Sequence, residues 1–348
     1  MNKIIFLLGA GASCNALPMV SQIEKELAKI ISSLREPAGP NDSKLRSQYS
    51  KRVKNSKIEN RHNAKLKSVV LDEFVTSLEW LEKSCSEHFS IDTYAKKLYL
   101  QQKFSKLNEL KITLSCFFTL LQNTGFDNRY DSFLASIIDD LKLLPSNIQV
   151  VSWNYDYQLE IGMSNFLNTK DLKYVNEFLK VYSKGDKLES VNRTNQFSLF
   201  KVNGTTQIKS EEKRINITDT YGIDELDLLD EVLFYYYSVK DKKTEPSLSF
   251  AWENEVDGNF FELIGVNIFD RETLVIIGYS FPFFNRKVDS KILKTMRNLK
   301  KIYIQDPHNA DAIEQRVKSL FGETAIGKNI TYQKIKDIKD QFYLPFEL

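Results

Sequence analysis

The chain has 348 residues, 42% of them hydrophobic and 27% charged, with a formal net charge of +2. That length suits one large α/β domain carrying a substantial insertion, or two lobes. The near balance of acids and bases argues against a dedicated nucleic-acid binder, which would carry a strongly basic domain. No stretch approaches the length of a membrane span, and the apolar run Ile4 to Leu8 reads as too brief for a secretory leader.

Lys3 to Leu8 reads as a short, fully buried strand, and Gly9-Ala10-Gly11-Ala12-Ser13 follows it without a break. From Pro18 to about Leu34, Val20, Ile23, Leu27, Ile30, Ile31 and Leu34 recur at helical spacing, which puts the glycines in a strand-to-helix turn. After the breakers Pro37, Gly39 and Pro40, nine Lys or Arg stand between Ser43 and Lys67 against one acid, Glu59. That stretch reads as a solvated loop, or as a basic arm for a partner subunit or a phosphate backbone. Val70 to Gly125 follows as a helical block, and a helix from Tyr130 to Leu143 leads into the apolar run Ile148 to Trp153. Residues 37–145 are thus expected to form a basic loop plus a helical insertion between the first and second strands of a sheet.

Strand signals return at Leu199 to Val202, Leu274 to Ile277 and Lys301 to Gln305, with helical patterns at Arg286 to Leu299 and Ala310 to Phe321. Between them, Ile215 to Glu253 is an acidic and aromatic excursion, read as a second lobe or lid within an insertion near 206–262. The expected class is α/β: a Rossmann-like parallel sheet with helices on both faces, built from residues 1–36 and 146–348, and a large helical insertion forming a second lobe. Ligand residues in such a sheet collect just past the strand C-termini. Cys14, Cys85 and Cys116 are isolated, which excludes a four-cysteine zinc site and suits a reducing, cytoplasmic setting.

Four turn segments each follow a strand signal: Gly9-Ala10-Gly11-Ala12-Ser13, Ser152-Trp153-Asn154-Tyr155-Asp156, Lys201-Val202-Asn203-Gly204-Thr205 and Gly278-Tyr279-Ser280. In that order they resemble the sirtuin family, with its GAG-x-S turn and following proline (here Pro18), N-x-D strand end, K-x-H-G segment and late G-x-S turn. The likeness is nearest to the zinc-free sirtuin-like domains of bacterial antiphage systems. It implies one sirtuin-like domain over 1–348 that hydrolyses NAD+ to nicotinamide and ADP-ribose, with defence by NAD depletion (abortive infection).

By the same resemblance, Gly9, Ala10, Gly11 and Ser13 would line a phosphate turn, with Pro18 and Gly204 beside the cofactor. Asn154 would hold the nicotinamide ribose and a water, and Asp156 the carboxamide. Gly278 and Ser280 would bound the phosphate and adenosine side, and Asp306 would accept from the adenosine ribose. A plainer alternative stands for three of these: Asn154 and Asp156 as a capping pair, and Asp306, before Pro307, as a helix-start residue.

The family's catalytic histidine is replaced by Asn203, which can orient a hydroxyl or water but not take its proton near neutral pH. Neither His62, His88 nor His308 supplies an evident substitute, although Asp156 could serve as a base. Met19-Val20-Ser21 stands where deacetylating members carry Asp-Phe-Arg, so deacetylation ranks low. The alternatives to an NADase are a degenerate sensor of NAD or ADP-ribose and a structural subunit of a defence complex. The resemblance further implies a homo-oligomer or a regulatory partner such as a HerA-type ATPase or an Argonaute-like protein. It implies no membrane and no zinc, with nucleic acid only through the basic loop 43–67.

Overall fold

The computed structural model describes residues 2–35, 44–59, 64–123, 125–139, 143–186, 188, 190–209, 222–239, 245–253, 258–322, 327 and 329–348. The chain divides into two compact units. One comprises Met1–Cys14, Phe126–Thr205 and Ser249–Leu348; the other comprises Asn15–Gly125 and Thr206–Leu248.

In chain order the elements are β1 (Ile4–Leu8), α1 (Ile23–Leu34), α2 (Lys44–Val53), β2 (Lys57–Glu59), β3 (Ala64–Leu66), α3 (Lys67–Glu87), α4 (Ile91–Leu100), α5 (Phe104–Gln122) and α6 (Asn128–Ile137). They continue as β4 (Ile148–Ser152), α7 (Gln158–Leu167), α8 (Leu172–Leu179), β5 (Val181–Ser183), β6 (Ser198–Lys201), β7 (Gly204–Lys209), α9 (Glu225–Val239) and β8 (Glu245–Leu248). The last are α10 (Gly258–Ile268), β9 (Thr273–Ile277), α11 (Arg286–Thr295), β10 (Lys301–Gln305), α12 (Ala310–Phe321) and β11 (Thr331–Ile335).

In the first unit, seven strands form one sheet in the order β11-β10-β9-β1-β4-β6-β5, and every neighbouring pair is parallel. All five residues of β1, of β4 and of β9 are buried, which is why these segments read as unbroken apolar runs: helices cover both faces of a parallel sheet. Ile5 and Leu7 share a core with Leu274, Ile276, Ile302 and Ile304 and with Leu263 of α10, Leu293 of α11 and Val317 of α12. The alternate residue Phe6 meets Phe133 of α6 edge-on, ring centroids 5.0 Å apart. This is a Rossmann-like α/β sheet. From β1 the chain first builds outward through β4, then returns to lay β9 on the other flank. The strand order therefore reverses at β1, where open α/β sheets open a crevice at the strand C-termini.

The second unit is helical, with α1 against α3 and α5 against α9, and two small sheets, β2-β3 and β7-β8. Its basic stretch differs from a bare loop. Residues 44–53 are helical, and β2 pairs with β3 antiparallel, Lys57 opposite Leu66. Several of its cations are paired within the unit. Arg46 is buried and donates to Asp72 at 2.7 Å, Arg52 pairs with Asp227, Lys67 holds Asp230 at 2.6 Å, and the Tyr49 hydroxyl donates to Asp230 at 2.7 Å. The acids of α9 thus take up Arg52 and Lys67 of the basic arm, a long-range pairing that no local pattern reveals.

Three other expectations shift. The helix expected to reach Leu143 ends at Ile137, and the one expected to reach Leu299 ends at Thr295. Of the acidic and aromatic excursion, Glu225–Val239 is helical, with Tyr235, Tyr236 and Tyr237 buried. Residues 215–221, like 36–43 and His62, lie outside the described residues. Among the described residues no helix is long and apolar enough to cross a membrane.

Candidate functional site

The turn after β1 is a single 3-10 turn, Ala10–Ser13, locked against the turn after β9 by backbone alone. The Gly9 amide donates to the Ile277 carbonyl and the Gly11 amide to the Gly278 carbonyl, both at 3.0 Å, and the Ala12 amide closes onto Gly9 at 2.8 Å. No side chain fits between these turns. A Cβ on Gly9 would lie 2.6 Å from the Gly278 carbonyl oxygen. One on Gly278, whose φ is +62°, would lie 2.4 Å from the Gly11 Cα. The glycines are thus required by the close approach of two backbones. Behind them Trp153 stacks on Tyr279 with centroids 4.9 Å apart, and its buried indole N–H has no hydrogen-bond partner among the described residues. Ala10 and Ser280 are exposed.

On the β4 side, polar side chains make the connection. Asn154 is buried, and its Nδ2 donates to the Gly9 carbonyl at 2.9 Å and to the Ser13 Oγ at 3.2 Å. Ser13 also contacts the Tyr130 hydroxyl at 3.0 Å and hydrogen-bonds the Asp156 carboxylate. Asp156 caps α7 through the Gln158 amide at 3.1 Å. Burial pushes its carboxyl above the usual range, opposed by the Lys201 ammonium. Ser13, Asn154 and Asp156 therefore form one buried network at the C-terminal end of β1 and β4. Asp156 thus has the capping role, and Asn154 bridges two turns.

The segment after β6 is occupied differently. Lys201 is buried, ion-paired with Glu160 of α7 at 2.5 Å, and donates to the Asp156 carbonyl. Burial raises the Glu160 carboxyl, again against Lys201. Asn203 spends its whole side chain on backbone: Nδ2 donates to the Trp153 carbonyl at 2.7 Å, and Oδ1 accepts from the Ala251 amide at 2.9 Å. Gly204 follows at φ +69°.

Gly9, Gly11, Ser13, Asn154, Asp156, Asn203 and Gly278 are thus joined directly or through one neighbour. Pro18 belongs to the other unit, just before a 3-10 turn at Val20–Gln22. Asp306 accepts from the His308 and Asn309 amides at 2.9 and 2.6 Å, so it caps the approach to α12, the helix-start alternative. His88 sits in the helical unit with its Nδ1 2.9 Å from the Ser84 carbonyl.

Sequence reasoning missed Arg129 and Asp127. Arg129 is buried and forks onto Asp127 at 2.9 and 2.6 Å, and its Nη2 reaches the carbonyls of Gly11 at 3.1 Å and Ala12 at 3.2 Å. The local signal is an Asp at a helix N-cap, an ordinary cap, and the grip on the glycine turn spans more than a hundred residues of chain. Compared with known proteins, the chain matches no family model, and no curated protein sequence matches it.

Proposed function

We propose that the first unit cleaves the nicotinamide–ribose bond of NAD+, giving nicotinamide and ADP-ribose. The observation that carries this reading is the Ser13–Asn154–Asp156 network at the point where the strand order reverses, the usual place for a dinucleotide in an open α/β sheet. Nicotinamide leaves as a neutral base from a cationic sugar-bound form. The demanding step is therefore to hold the ribose as oxocarbenium character develops, and pre-aimed amide and carboxylate groups suit that task. Asn154 orients the ribose and a water, Asp156 takes the carboxamide, and water completes hydrolysis. In the same reading NAD depletion serves bacterial antiphage defence, with a second copy or a HerA-type or Argonaute-like partner as regulator.

Incubation of the purified protein with NAD+, followed by chromatography of nicotinamide and ADP-ribose, tests the proposal. Asn154→Ala is expected to lower release at least about 100-fold while costing about 1–2 kcal/mol of stability from two lost hydrogen bonds. Equal turnover in the variant rejects the assignment.

The fully engaged Asn203 favours a second reading, a binding module that retains NAD or ADP-ribose without turnover. Intact NAD+ recovered from a tight complex after long incubation selects it.

A further inference from the structure

Away from the strand ends, α10 and α11 border an open groove of about 530 Å³ lined by Phe269, Lys287, Lys291, Lys294 and Arg297, with the hydroxyls of Ser290 and Thr295 between them. Among the described residues no acid lines it. Glu262, the one acid of α10, lies outside the lining, and Asp270 is taken up by Lys3 and Arg193. Asp289 of α11 is buried against the Tyr279 hydroxyl.

Lys287, Lys291 and Lys294 are exposed and follow one another at i, i+4 and i+7 of α11, so they share one helix face. At the helical rise they form a row about 10 Å long, continued by Arg297. A row suits an extended chain of negative charges better than one point anion. Phe269 is 41% exposed in the same groove, with the Arg193 guanidinium 5.2 Å from its ring centroid. A braced, accessible ring beside a cationic track is the arrangement on which an unstacked base can lie while its backbone follows the cations. An acidic peptide would use the lysines and leave the ring idle. A duplex would keep its bases from the ring.

We propose that this groove binds single-stranded nucleic acid, with the phosphates on Lys287, Lys291, Lys294 and Arg297 and a base on Phe269. The site is separate from the NAD reading and does not depend on it.

The test is fluorescence anisotropy of a fluorescein-labelled oligothymidylate with the full chain across a potassium chloride series, with thermal unfolding as the folding control. The wild type is expected to bind, with affinity falling as salt rises. The triple variant Lys287→Gln/Lys291→Gln/Lys294→Gln should reduce the slope of log K against log salt by about 2, three contacts at roughly 0.7 each. Phe269→Ala should weaken binding roughly tenfold through lost stacking. Absence of binding by the wild type, or binding unchanged in the triple variant, overturns the proposal. So does tighter binding of duplex, or of linear inorganic polyphosphate with no effect of Phe269→Ala.

Discussion

The turn after β1 is held to its two neighbours by different means, although β1 itself pairs with β4 and β9 through the same parallel ladder. Toward β9 the contact is backbone on backbone, closed by the Gly9 and Gly11 amides and possible only because Gly9, Gly11 and Gly278 lack a Cβ. Toward β4, beyond the Trp153 amide on the Leu8 carbonyl, side chains make the contact: Asn154 on the Gly9 carbonyl and on the Ser13 hydroxyl, with Arg129 gripping the carbonyl end of the same turn. The glycine flank has geometry and almost no chemistry to offer; the β4 flank gathers an amide, a hydroxyl and a carboxyl in one buried place. Substitutions on the first should therefore register as lost stability. Those on the second can separate activity from stability.

The sharpest way to break this contrast is Gly278→Ala. The methyl must enter a left-handed backbone and a gap of 2.4 Å to the Gly11 Cα, so strain and overpacking add. Urea unfolding should show a loss of about 4–5 kcal/mol. A loss below about 1 kcal/mol would mean that the turns separate easily and that their glycines serve a ligand instead.

Arg129→Met tests the other flank at slightly smaller cost. Methionine fills much of the arginine's volume but leaves Asp127, fully buried, without its counter-charge. The expected loss is about 3–4 kcal/mol. Adding Asp127→Asn should recover part of it, because the stranded charge is then gone. If the double variant is no more stable than the single, the grip on the Gly11 and Ala12 carbonyls matters more than the ion pair.

How much of this was legible beforehand follows the same division. The strand at 301–305 and the helix at Ala310–Phe321 stand where their apolar patterns put them, because sheet centre and helix face impose a period on sequence. The edge strands Thr331–Ile335 and Val181–Ser183 left no such trace. The first is mostly exposed and polar, and the second is three residues long. α7 was equally silent, since seven of its ten residues from Gln158 to Ser164 are buried and no polar face alternates with an apolar one. In the site, Gly9, Gly278, Asn154 and Asp156 sit in short turn motifs and could be named. Arg129 could not, because the Gly11 and Ala12 carbonyls it grips lie more than a hundred residues away, and neither could the pairing of α2 with the acids of α9.

Asn203→His refines the β4 flank. Were a missing base the limit on turnover, histidine should raise it. The present amide, however, bonds the Trp153 carbonyl and the Ala251 amide at once, and an imidazole cannot reproduce both from one plane and length. The expected outcome is a loss of about 1–2 kcal/mol and no gain in nicotinamide release. A gain would show that this position faces the reacting sugar after all.

The smallest effect is a pH dependence from behind the glycine flank. Tyr279, next to Gly278, donates to Asp289 at 3.0 Å and accepts from Asn285 Nδ2 at 3.1 Å, and burial holds the Asp289 carboxyl well above the usual range. A carboxyl whose folded value is raised binds its proton more tightly in the native state. Its stabilising contribution is therefore complete below the unfolded value, about 3.9, and is lost as pH rises through the folded one. Asp289→Asn keeps an acceptor for the Tyr279 hydroxyl and cannot ionise. The melting temperature of the variant minus that of the wild type should accordingly rise by a few degrees, roughly 2–4 °C, between mildly acid and neutral pH. A flat difference would mean that Asp289 gains a counter-charge or water on ionising, and a falling one that its carboxylate stabilises the turn.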